Sequence, residues 1–201
     1  PLSGGEPKLV PISGFEAAGL KPDGLVVDPH VIHLGDSEHR LFFIYQPKEL
    51  DPGARMENEV RSALSTDEGA TWVVEPGVRF GGNIVDPDVV PLPDGRWRMF
   101  VTQDAVHVKS AISTDSLSWE PELGLRFRGG GVTSTVQDGD AWRMYFHNPS
   151  GMALASSADS LDFGLISDRE LIPDLWHLVD LHSAEVERLF EATGAEWAVP
   201  Q

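Results

Sequence analysis

Trp97-Arg98-Met99-Phe100 and Trp142-Arg143-Met144-Tyr145 are two copies of one short segment, and they are not alone. Asp28-Pro29-His30-Val31-Ile32 returns as Asp86-Pro87-Asp88-Val89-Val90. Ser62-Ala63-Leu64-Ser65-Thr66-Asp67 returns as Ser110-Ala111-Ile112-Ser113-Thr114-Asp115, with a fainter copy at Ala155-Ser156-Ser157-Ala158-Asp159. Glu75-Pro76-Gly77-Val78-Arg79-Phe80 returns as Glu122-Leu123-Gly124-Leu125-Arg126-Phe127. The repeating unit is therefore about 45 to 58 residues long, the size of a propeller blade.

Each unit reads as four strands. In the second unit they fall at about 88–92, 97–102, 106–113 and 119–127, with Pro93-Asp94-Gly95-Arg96 as the first turn. Proline presets φ there and glycine tolerates positive φ. The first unit gives strands at about 30–34, 40–45, 60–65 and 72–80; the third gives 133–137, 141–146, 152–157 and a weak fourth at 163–166. Four antiparallel strands repeated radially make an all-β β-propeller. A continuous sandwich is the rival, but sandwich strands have no reason to recur in fours.

The expected organisation is a propeller region over 1–171, with blades at about 25–80, 83–128 and 131–166, and a tail over 172–201. Leu178, Leu181, Val186, Leu189 and Ala192 fall near helical spacing, Ser183 suits an N-cap and Gly194 a C-terminal stop. That pattern predicts a short helix around 184–193. Three blades do not close a ring, so closure would come from the tails, from further chain or from association of copies, as a homo-oligomer.

The composition narrows the function. The chain has 201 residues, 15 Lys+Arg against 32 Asp+Glu, and a formal net charge of −17. Such a surface repels phosphate backbones and anionic membranes, so neither nucleic acid nor membrane is an expected partner. There is no cysteine, which excludes a disulfide scaffold, thiolate zinc sites and a thiol nucleophile. No apolar run reaches the roughly 18 residues of a membrane span. The first residues, Pro1-Leu2-Ser3-Gly4-Gly5, carry no signal-peptide pattern and no initiator Met. No nucleophile elbow, phosphate-binding glycine loop or dinucleotide fingerprint is present, and no cofactor is expected.

Propeller geometry brings strand-one starts and the loops between strands two and three to one face. The first set is Asp28 and His30, Asp86 and Asp88, and Thr133 and Ser134. The second is the loops 46–59, 103–107 and 147–151, which carry Arg55, Glu57, Glu59, Gln103, Asp104, His107 and His147. Long loops in a compact repeat are more often functional than decorative. Aspartate before proline is also a common turn device, so Asp28 and Asp86 have a purely structural reading, and Asp88 would then stand solvated in the channel. His30, His107 and His147 lie in separate blades without a local ligand spacing, so no metal site is assigned.

Ser65-Thr66-Asp67-Glu68-Gly69-Ala70-Thr71-Trp72 fits the pattern of the Asp-box repeat, with shorter forms at Ser113-Thr114-Asp115-Ser116-Leu117-Ser118-Trp119 and Ser157-Ala158-Asp159-Ser160-Leu161-Asp162-Phe163. These segments resemble sialidase-type Asp-box propellers. With the Asp-Pro strand starts, residues 25–166 look more like the five-bladed arabinanase/xylosidase-type glycoside hydrolases. The resemblance implies Asp28 as general base, Asp86 as the carboxylate that tunes pKa, and a general acid from the third blade. The third position departs from the pattern, because Val132-Thr133-Ser134-Thr135-Val136 holds no carboxylate. Glu57 or Asp104 could supply the acid from a loop. The substrate-binding set would then be His30, Asp88, Arg55, Gln103, Asp104, His107, Ser134 and His147. Three readings stay open: a glycoside hydrolase, a propeller that binds a glycan or small molecule without cleaving it, and an enzyme doing non-hydrolytic acid–base chemistry on a small molecule.

Overall fold

The computed structural model describes residues 8–49, 57–161 and 163–165. The helix expected around 184–193 and the loop residue Arg55 lie outside them. The chain divides into two units, Pro1–Gly164 and Leu165–Gln201, and the account below concerns the first.

Three sheets, antiparallel except for β1, follow one another along the chain. The first contains β1 (Ile12–Ser13), β2 (Leu25–Gly35), β3 (Glu38–Gln46), β4 (Val60–Ser65) and β5 (Trp72–Phe80), in the order β1-β5-β4-β3-β2. The second contains β6 (Ile84–Pro91), β7 (Trp97–Gln103), β8 (His107–Ser113), β9 (Glu120–Pro121) and β10 (Phe127–Arg128), with both β9 and β10 paired to β8. The third contains β11 (Gly131–Asp138), β12 (Ala141–Asn148), β13 (Gly151–Ser157) and β14 (Gly164–Leu165) in sequential order. Their first strands neighbour one another, β2 against β6 and β6 against β11. That is how the inner strands of adjacent blades fan around an axis, and the unit is a partial β-propeller.

Strand alternation supplies the packing. Ile32, Phe42 and Ile44 of the first blade meet Val89, Met99, Val101 and Ala111 of the second. Val90 and Phe100 of the second meet Trp142, Met144, Phe146 and Ala155 of the third. Hence β3 and β7 are apolar on both faces, whereas β12 buries only Trp142, Met144 and Phe146. The free face of the first blade, with Leu41, Phe43, Tyr45, Trp72 and Val74, is covered by Ile12, Phe15, Ala18 and Leu20. The N-terminal segment therefore adds β1 as a parallel edge strand and packs as a cap.

The recurring Ser-x-Asp turns lie between strands three and four, as expected. Asp67 accepts from Thr71 N (2.9 Å), Thr71 Oγ1 (2.6 Å) and Ser65 Oγ (2.8 Å). These bonds, led by the Thr71 hydroxyl, hold its carboxyl at a pKa of about 2. Each turn also presents an aromatic to a core: Trp119 stacks edge-on against Phe42, and Phe163 against Phe100. The run 119–127 was expected to form one strand, but it is split into β9 and β10. Gly124 takes a φ of 84° and Glu122 turns inward to reach Arg98. Among the described residues no helix is long and apolar enough to cross a membrane.

Candidate functional site

The first strand of every blade carries the same irregularity. Pairing jumps from Val27↔Ile44 to His30↔Phe42, from Val85↔Thr102 to Asp88↔Phe100, and from Gly131↔His147 to Ser134↔Tyr145. Each jump is a β-bulge, and the bulged residue is left-handed: Asp28 at φ 52°, Asp86 at φ 54° and Val132 at φ 53°. Aspartate tolerates this conformation better than most residues, and the following proline has no N–H to leave unpaired in the broken ladder. The Asp-Pro pairs are thus bulge-formers. The third bulge puts Val132 in the aspartate position, where a β-branched residue is strained.

The bulges bring the first two carboxylates together. Asp86 is half-buried, and its pKa is raised first by burial and then by the nearby negative charge of Asp28. The Thr102 hydroxyl works against both by hydrogen bonding to the Asp86 carboxylate. The Thr102 oxygen also accepts the Val132 N–H at 2.9 Å, so all three blades take part.

The structural reading of the Asp-Pro starts would leave Asp88 solvated in the channel, but it is 3% exposed. First strands close on it from both sides: His30 Nδ1 of β2 lies 3.8 Å away, and the Thr133 and Thr135 hydroxyls of β11 face it. Those hydroxyls favour its charge, yet Oδ2 makes no well-formed hydrogen bond among the described residues. Burial dominates and pushes the Asp88 pKa up to about 6. His30 is tied to the second blade, its Nε2 lying 2.9 Å from the Val89 carbonyl oxygen and 3.2 Å from the Val89 nitrogen, and burial lowers its pKa. His30 and Asp88 form an inter-blade seam beneath the bulges.

The other candidates fall at the same end of the sheets. Ile84 N donates to Asn58 O at 3.2 Å, which places the segment holding Glu57 beside the start of β6. Glu57 itself is exposed. Gln103 Nε2 is committed to Gly82 O at 2.8 Å. Asp104 and His107 sit in the β7–β8 turn, 3.9 Å apart. His147 and Ser134 are exposed on the third blade. Among the described residues no group of three or more His, Asp or Glu could hold a metal ion. Thr102 and Val132 escaped the sequence reading. The available signal was a threonine ending the apolar strand Trp97-Arg98-Met99-Phe100-Val101-Thr102 beside an Asp-Pro bulge.

No family model matches the chain, and no curated protein matches it in sequence. Solved structures match its fold. A family 117 glycoside hydrolase from the marine bacterium Zobellia galactanivorans superposes with a TM-score of 0.62 at 15% identity, over 80% of this chain and 60% of that one. A glycosyl hydrolase from Bacteroides ovatus gives 0.55 at 18% identity, over 72% and 49%. A family 43 β-xylosidase/α-arabinofuranosidase from a compost microbial metagenome gives 0.56 at 14% identity, over 70% and 56%. The chain thus spans roughly half to three fifths of their lengths. At these identities the likeness is one of fold.

Proposed function

We propose that the chain is the site-bearing part of a carbohydrate-active propeller, in which the paired bulge carboxylates act on a glycan as a glycoside hydrolase. The observation that carries this reading is the electrostatic pairing of Asp28 and Asp86, held in the same left-handed conformation on adjacent first strands. Glycoside hydrolysis needs two carboxyl groups that share a site but differ in protonation. Burial and the nearby charge of Asp28 raise the pKa of Asp86, as expected of a carboxyl that shares its site with another. Asp28 serves as general base, Asp86 as the orienting and pKa-tuning partner, and Glu57 as a loop-borne acid. The fold is shared with glycoside hydrolases, one of them solved with xylotriose.

Asp28→Asn should lower turnover of the best aryl glycoside by about a hundredfold to ten-thousandfold, the usual share of a general base. The measurement is initial rate over a panel of pentosides and hexosides, with calorimetry on the matching oligosaccharides. Turnover unchanged in the variant would remove Asp28 from the mechanism. A second reading rests on Val132, which leaves the third bulge without a carboxylate. In that case the site binds a glycan without cleaving it, and calorimetry shows heat where the rate assay shows none.

A further inference from the structure

Thr102 is 2% exposed at the end of β7, opposite Val85 and next to the bulge that holds Asp86. A hydroxyl has one hydrogen to give and two lone pairs. One lone pair is taken by the Val132 N–H, at 2.9 Å from the third blade. The hydrogen is left to give to the Asp86 carboxylate, on which the Thr102 hydroxyl acts. The close approach is built in. A Cβ on Gly131 would stand 2.3 Å from Thr102 Cγ2 and 2.9 Å from Oγ1, so only glycine lets the third blade's main chain come this near. The strained conformation at Val132 belongs to the same feature, because it is the main chain of that bulge that presents the N–H to Thr102.

We propose that Thr102 is a positioning residue for Asp86, with its hydroxyl aimed by the main-chain N–H of Val132. The third blade, whose bulge holds no carboxylate, therefore still serves the site through its backbone. The proposal rests on the reading of Asp86 as a site residue, but its geometry does not depend on the reaction. The charged group acting on Asp86 from outside its own strand is Asp28 of β2. Within the strand, Asp88 lies two residues on and faces His30, Thr133 and Thr135.

The test is the carboxyl titration of Asp86 in the full chain, followed by carbon-13 NMR without substrate. Thr102→Val keeps the shape and removes the hydroxyl, and should raise the Asp86 midpoint by at least about half a pH unit, or threefold in proton affinity. Thr102→Ser keeps the hydroxyl and should return the midpoint close to the wild-type value. Val132→Gly relieves the strain, keeps the N–H, and should leave the midpoint in place. If Thr102→Val does not fold, Thr102→Ala is read in the same way. An unmoved midpoint in the valine or alanine variant, or a serine variant that behaves like valine, overturns the proposal. Since no turnover is read, a failed glycosidase assay leaves the result intact, and a failed titration leaves the role of Asp28 intact.

Discussion

Asp88 shows how one side chain's surroundings set a property of the whole fold. Its carboxyl lies between first strands, has no strong hydrogen bond on Oδ2, and holds its proton up to about pH 6. The unfolded chain releases that proton near pH 4. Between about pH 4 and 6 the folded state binds more protons, so this group lowers stability as pH rises, by about 3 kcal/mol in all. His30 acts in the opposite sense, because its lowered pKa makes folding less favourable as pH falls through the histidine range. Asp88→Asn removes only the first contribution. Urea unfolding at stepped pH should therefore show the variant gaining about 3 kcal/mol on the wild type between pH 4 and 7. A wild-type-minus-variant difference that stays flat across that range would mean that Asp88 is not the buried acid described here.

At the scale of elements, the blades are joined by a repeated polar clamp. Arg40 on β3 donates to both oxygens of Glu75 at 2.9 Å, and its third nitrogen reaches the Asp115 carbonyl and Ser116 hydroxyl of the next blade's turn. Arg98 on β7 repeats this with Glu122, the Asp159 carbonyl and Ser160. Arg143 on β12 holds the matching position, but its side chain is 40% exposed and pairs with Asp138. Tyr145, the counterpart of Phe100 in the repeat, is 42% exposed where Phe100 is fully buried. Arg40→Ala should cost about 3–5 kcal/mol, because it strands Glu75 and the turn behind it. Arg143→Ala should stay within about 0.5 kcal/mol, as exposed pairs do. Equal losses in urea unfolding would contradict the view that the clamp works by bridging two blades.

Over the whole molecule, the net charge of −17 sets a field that any ligand must cross. If the site takes glycans, a neutral oligosaccharide should bind more tightly than a uronate-bearing one of equal length at low ionic strength. Added salt should narrow the gap as the Debye length falls from about 30 Å at 0.01 M to 8 Å at 0.15 M. Calorimetry at two salt concentrations measures this, and a gap that ignores salt would place the discrimination in local contacts instead.

The sequence by itself determined the four-stranded blade, because a repeat of Trp-Arg-Met-aromatic strands, Ser-x-Asp turns and Asp-Pro starts can bury its apolar faces only against copies of itself. It also marked Asp28 and Asp86 as equivalent, since equivalence in a repeat is visible in one dimension. Only the tertiary structure decided that Asp88 is sealed between neighbouring strands, and that Thr102 and the main chain of Val132 complete the Asp86 environment. The reason is physical. Repetition fixes the phase of each strand, whereas a bulge re-aims one residue, and the partner it then meets comes from a different blade more than 25 residues away.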